Sequence, residues 1–141
     1  MTLAEAPERI AIESDADVVT ARQRARSLAI GVDMAGTDQT LLATAISEIA
    51  RNITTYAVDG RGEVLIDLVR DARGRPGVRV IARDEGPGIE NLDRALTDGY
   101  TTGGGLGLGL PGARRLVDEF DIDTGPGQGT TVTLIKWAQR A

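Results

Sequence analysis

Apolar and polar positions alternate along this chain with two periods, and the switches between them mark its elements. Over residues 8–13, Ile10 and Ile12 share one face while Arg9, Ala11 and Glu13 take the other, the two-residue period of a short edge strand. From Ser14 or Asp15, either of which suits a helix cap, Val18, Ala21, Ala25, Leu28 and Ala29 recur at helical spacing until Gly31. A second helix opens at Thr37/Asp38 and runs to about Ala57, with Leu42, Ile46, Ile49 and Ile53 as its apolar stripe. Residues 63–70 and 78–84 return to strand character, and the turn-rich Ala72-Arg-Gly-Arg-Pro-Gly77 between them predicts a hairpin. A helix-like stretch, 91–98, and a loop, 99–109, come next. Pro111 suits the first turn of a third helix, where its missing N–H costs nothing, and Ala113, Leu116, Val117 and Phe120 give that helix a buried face. Residues 121–124 and 130–137 flank Gly125-Pro-Gly-Gln-Gly129, a second hairpin. Hairpins and amphipathic helices without strict strand–helix alternation predict an α+β fold, a two-layer sandwich. No repeat or linker divides the chain, so a single domain is expected over residues 1–141.

Composition narrows the function classes. An apolar content of 41% is enough for one core. Acidic residues outnumber basic ones by 21 to 16, and no Lys/Arg block resembles a nucleic-acid footprint, so DNA or RNA binding is not expected. No apolar run approaches the roughly 18 residues of a membrane span. Residues 1–13 lack the apolar core of a signal peptide, so a cytoplasmic, non-membrane protein is expected. The absence of cysteine excludes disulfides and thiolate metal sites, and the absence of histidine excludes autophosphorylation on histidine, a His-based triad and imidazole ligation. Lys136 is the only lysine and follows no glycine loop, which excludes a P-loop. The lysine-on-a-strand and His-Arg-Asp signatures of ordinary protein kinases are missing too.

Four short segments carry candidate chemistry. At about 100° per residue, Glu48 and Asn52 fall one turn apart on the same flank of the second helix's apolar stripe. A carboxylate and an amide there can orient a hydroxyl and hold a metal, since magnesium takes oxygen ligands and shares its shell with phosphates. A solvated Glu and Asn beside the core is the plainer alternative. Asp84 ends a strand on the inward parity of Val78, Val80 and Ala82, placed to accept a hydrogen bond from an exocyclic amine. Gly86 and Gly88 would let backbone pass close to a flat ring, although Asp, Gly and Pro also make an ordinary turn. In Gly103-Gly104-Gly105-Leu106-Gly107-Leu108-Gly109 the glycines let backbone N–H groups converge on anionic oxygens, and the helix that follows adds its positive end. The interleaved leucines argue against a flexible polar linker. No strand runs directly into these glycines, so the dinucleotide-binding fingerprint does not apply. Thr130, opening the last strand, could place a hydroxyl near Asp84, a position that strand propensity explains equally well. Arg51, off the apolar stripe, and Arg114 and Arg115 read as solvated helix surface.

Taken in order, Glu48-x-x-x-Asn52, Asp84-x-Gly-x-Gly88, Gly105-x-Gly-x-Gly109 and Gly129-Thr130 resemble the asparagine box, two glycine boxes and trailing Gly-Thr of the GHKL ATPases. That superfamily comprises gyrases, heat-shock chaperones, histidine kinases and mismatch-repair proteins. The resemblance implies an α/β sandwich with ATP held between helices and a mixed sheet, the helices packed on one face. It further implies that Asn52 coordinates Mg²⁺ and Asp84 binds the adenine amine. Gly103 to Gly109 would form the phosphate lid, with Glu48 as general base. With no segment resembling gyrase or chaperone accessory domains and no phosphoacceptor histidine of a sensor kinase in these 141 residues, a bare domain of this superfamily is expected. Ser47-Glu-Ile-Ala-Arg-Asn52, Gly109-Leu-Pro-Gly-Ala-Arg-Arg-Leu-Val-Asp-Glu-Phe120 and Ile135-Lys-Trp137 are most similar to the stressosome switch kinases, relatives of the anti-sigma-factor kinases. The short Tyr100-Thr-Thr-Gly-Gly-Gly105 lid is where this sequence departs. The resemblance therefore implies a protein serine/threonine kinase acting on STAS-domain partners and afterwards activating a phosphatase. An anti-sigma factor that binds a sigma factor, or a non-catalytic ATP-binding module, are the alternatives. The sequence leaves oligomeric state open.

Overall fold

The computed structural model describes residues 7–56, 61–85, 109–124 and 129–138. Five strands, β1 (Glu8–Ile12), β2 (Gly62–Arg70), β3 (Pro76–Asp84), β4 (Glu119–Thr124) and β5 (Thr130–Trp137), form one sheet in the order β1-β2-β3-β5-β4. Three helices, α1 (Asp15–Gly31), α2 (Gly36–Tyr56) and α3 (Gly109–Leu116), complete the described elements. The period-2 pattern decides which sheet face is dry. Val64 and Ile66, Val78, Val80 and Ala82, and Val132 and Leu134 are buried, facing the stripes of α1 and α2. Leu42, Ile46, Ile49 and Ile53 of α2 are fully buried, as their spacing predicts. The α1 stripe is mostly alanine, with Ala21, Ala25 and Ala29 buried, and side chains that small let the helix lie close against its neighbours.

The opposite sheet face is held by cross-strand ion pairs. Arg79 grips Asp67 with Nε and a terminal nitrogen at 3.0 and 2.6 Å, its register partner. Arg83 Nε donates to Glu63 Oε2 at 2.9 Å, and Arg9 of β1 pairs with the same carboxylate. Opposite charges directly across a ladder are the favourable polar arrangement for a wet face. The α+β sandwich with helices on one face is therefore as expected.

The mixed sheet is not: all four neighbouring pairs are antiparallel. A single crossover helix returns the chain parallel, whereas β1 reaches β2 through two helices joined by residues 32–35, which adds one more reversal. The remaining pairs are built from the hairpins β2–β3 and β4–β5, with β5 set against β3. The third helix also differs from its sequence pattern. It starts at Gly109 and ends at Leu116, so that Phe120 belongs to β4. Asp118 ends it, because its N–H donates to the Ile135 carbonyl and its carboxylate accepts the Trp137 N–H at 2.7 Å, drawing the chain into the sheet.

Two contacts give α2 its direction along the sheet. Near its start, Asp38 Oδ1 lies 3.7 Å from Lys136 Nζ on β5. Near its end, Ile53 packs under Gly62, where an added Cβ would come within 2.7 Å of Ile53 Cγ2 and 2.4 Å of the Arg83 carbonyl oxygen. The second half of α2 thus reaches the sheet end at which β3 finishes and β5 begins.

Candidate active site

That sheet end is built from one register row. Gly62, Asp84, Thr130 and Thr124 are Cα partners across four adjacent strands. Asp84 is half-buried, continuing the inward parity of Val80 and Ala82. Thr130 is buried, 5% exposed, with Oγ1 2.9 Å from Thr124 Oγ1. Thr124 Oγ1 donates to the Gly129 carbonyl at 2.9 Å. A hydroxyl has one proton, so with that of Thr124 committed, Thr130 is the donor between the two threonines and keeps acceptor capacity for a ligand. Gly129 has φ +74°, and a Cβ there would sit 2.3 Å from the Asp84 carbonyl oxygen. Only glycine permits this approach, and it locks the start of β5 against the end of β3.

Glu48 and Asn52 lie on successive turns of α2, both half-buried. Ile49 and Ile53, fully buried beside them, set the rotation of the helix that holds them at the flank. The Glu48 side chain is 13% exposed, and Arg51 NH1 stands 3.6 Å from its Oε1, with the Arg51 side chain 56% exposed. A freely solvated Glu48 is thereby replaced by a carboxylate largely withdrawn from water beside a guanidinium. Ser47, next to it, is buried and spends its hydroxyl on the Ala43 carbonyl at 3.2 Å, a helix-internal bond.

Gly109, expected as the last residue of the phosphate loop, opens α3 instead, and Leu110 to Ala113 behind it are buried. At the other end of α3, Asp118 holds the chain against Trp137 of β5. Gly86, Gly88, Gly103, Gly104, Gly105, Leu106, Gly107 and Leu108 lie outside the described residues. Arg114 and Arg115 are exposed in the last turn of α3, where cations suit the helix dipole. Of the expected site residues that are described, register makes Asp84 and Thr130 neighbours, while Glu48 and Asn52 are carried to the same end by α2. Thr124 and Gly62 were missed. The second hairpin was the available signal for Thr124, since Thr124 and Thr130 flank the segment between its two strands and so face each other.

Residues 37–140 match the model of the family of histidine kinase-, DNA gyrase B-, and HSP90-like ATPases. The chain belongs to this family. Serine/threonine-protein kinase RsbT of Bacillus subtilis is 45% identical to it over 128 residues, 91% of this chain and 94% of that kinase. At this similarity the chain is a protein serine/threonine kinase of the ATP-binding family. An anti-sigma F factor of Bacillus licheniformis is 34% identical over 102 residues, 69% of this chain and 68% of that factor. Among solved structures, the RsbU and RsbW domains of a Mycobacterium tuberculosis protein superpose with TM-score 0.63 at 24% identity over 97% of this chain, which spans 34% of that longer chain. The mycobacterial sensor histidine kinase MprB gives TM-score 0.57 at 16% identity, covering 96% of this chain and 99% of its own. These two share its fold. No helix among the described residues is long and apolar enough to cross a membrane.

Proposed function

We propose that this kinase transfers the γ-phosphoryl group of ATP to a serine or threonine hydroxyl of a STAS-domain partner in a cytoplasmic stress-signalling switch, and then engages and activates a phosphatase. What supports this reading is the carboxylate of Glu48, largely shielded from water one turn from Asn52, and the register of Asp84 with Thr130, in a chain 45% identical to a serine/threonine kinase. Glu48 accepts the proton of the partner hydroxyl as that oxygen bonds to phosphorus, and ADP leaves with the bridging oxygen. Asp84, half-buried at its strand end, accepts from the adenine amine, with Thr130 beside it in the row. The Gly103 to Gly109 run supplies backbone donors to the phosphates. Asn52, half-buried on α2, offers one amide oxygen, the kind of ligand magnesium takes when phosphates supply the rest of its shell. Bound there, Mg²⁺ would neutralise phosphate charge.

The test is incubation of the chain with labelled ATP and candidate STAS-domain proteins. Label is expected on partner Ser or Thr. Binding of ATP with no label on any partner hydroxyl would remove the phosphotransfer reading. The 34% identity to an anti-sigma F factor favours a second reading, in which the same domain also binds a sigma factor. A direct binding measurement with purified sigma factors separates the two, because the first reading expects none.

A further inference from the structure

Arg51 and Glu48 stand three residues apart on α2, which places them on neighbouring turns of one flank. Their partnership is unequal. The carboxylate of Glu48 is mostly shielded from water, while Arg51 is more than half exposed, at a separation of 3.6 Å that is an ion pair rather than a direct hydrogen bond. A shielded carboxylate lacks part of its hydration and is steadied by a positive group on its open side. The helix offers Arg51 no alternative face, since Ile49, Ala50 and Ile53 around it are buried in the core and fix its rotation. Arg51 is therefore the solvent-exposed member of the pair, beside a carboxylate that is mostly shielded. A guanidinium carries five donors in a planar fork, so an edge turned to Glu48 leaves others for the incoming surface.

We propose that Arg51 is a positioning residue for phosphotransfer, holding the Glu48 carboxylate in the orientation that takes the proton from the partner hydroxyl. This rests on the base role given to Glu48 above. It assigns work to a side chain whose position on the helix reads as plain solvated surface.

The experiment uses the full chain, saturating ATP and a STAS-domain protein that the wild type phosphorylates. Arg51→Ala is expected to lower kcat about tenfold. The ATP dissociation constant and melting temperature should be unchanged, and the KM for the partner should move less than kcat. Arg51→Lys, which keeps the charge within reach, should recover most of the rate. Arg51→Gln serves as a second neutral variant if the alanine variant folds poorly. In single-turnover measurements Arg51→Ala should add no further loss on a Glu48→Gln background, because a positioning residue acts only through what it positions. A loss that multiplies with that of Glu48→Gln, a loss confined to KM, or a wild-type kcat in Arg51→Ala overturns the proposal. If Glu48→Gln itself transfers at the full rate, the base role falls and takes this proposal with it. An inactive Glu48→Gln beside a fully active Arg51→Ala overturns the positioning role alone.

Discussion

The two ends of the sheet are built on opposite principles. At the end where β5 finishes, charged and aromatic groups stitch separate elements together. Lys136, its side chain 9% exposed, lies 3.7 Å from Asp38 of α2 and 4.0 Å from Asp118. Trp137 donates its indole N–H to Glu119 at 2.9 Å, and Arg75 stacks 5.1 Å from its ring centroid. Gly77 leaves room for that ring, since a Cβ would meet it at 2.6 Å. These partners bond to one another across the elements they join. At the other end the polar groups form a row, Asp84, Thr130 and Thr124, beside the Glu48 and Asn52 flank of α2. There the backbone is brought close by Gly62 and Gly129, which add no side chain to fill the space. One end closes the sandwich; the other keeps chemistry at its rim. The same helix, α2, serves both, with Asp38 in its first turn and Asn52 in its last ones.

If this division of labour is right, substitutions at the two ends should separate activity from stability. The largest effect is expected from Glu48→Gln, which should cut kcat by about a hundredfold or more while ATP affinity and folding persist. A simultaneous loss of nucleotide binding would show that Glu48 belongs to the binding framework instead. Next is Gly129→Ala, where a strained φ and a clash with the Asp84 carbonyl should cost about 2–4 kcal/mol in urea unfolding and weaken ATP binding as the row is displaced. At the closing end, Lys136→Met should cost about 1–3 kcal/mol, since it removes the cation beside two partly shielded aspartates, and should leave the ATP dissociation constant unchanged. A shifted ATP affinity in that variant would couple the two ends through α2 and break the comparison.

The smallest effect lies on the wet sheet face. Hydrogen bonds from Arg83, and then from Arg9, hold the Glu63 carboxyl below its ordinary value of 4.5. A depressed carboxyl contributes stability that is present above the ordinary value and lost as pH falls through the lowered one. Glu63→Gln should therefore destabilise by less than about 1 kcal/mol at neutral pH, because both arginines are solvated. The difference from wild type should shrink on acidification below pH 4.5, as read by denaturant midpoints at several pH values.

Much of this was legible in the residue pattern because it depends on local period. The α2 stripe, both hairpins and the inward parity of Asp84 follow from spacing along single elements, and each has its expected place. Pattern failed where a long-range contact overrode it. The apolar spacing that carried the third helix to Phe120 was interrupted by Asp118 bonding to Trp137, a partner 19 residues on. Arg51, three residues from Glu48, had the spacing of an ion pair, yet its direction away from the apolar stripe suggested only solvent. Burial of Glu48 made the difference, and burial is not a local property. The mixed sheet implied by resemblance failed because strand direction depends on how many helices intervene.

By itself the sequence determined the elements, the order of its four motifs and the kinds of chemistry excluded by the absence of histidine, cysteine and a P-loop lysine. Those are properties of residue type and spacing, which survive without neighbours. Only the tertiary structure decided that Asp84, Thr130 and Thr124 form one row, that Gly129 must lack a side chain, and that Lys136 closes the far end. It also decided that the Glu48 side chain is largely withdrawn from water. Each depends on register or burial between segments distant in the chain, and no local period encodes those.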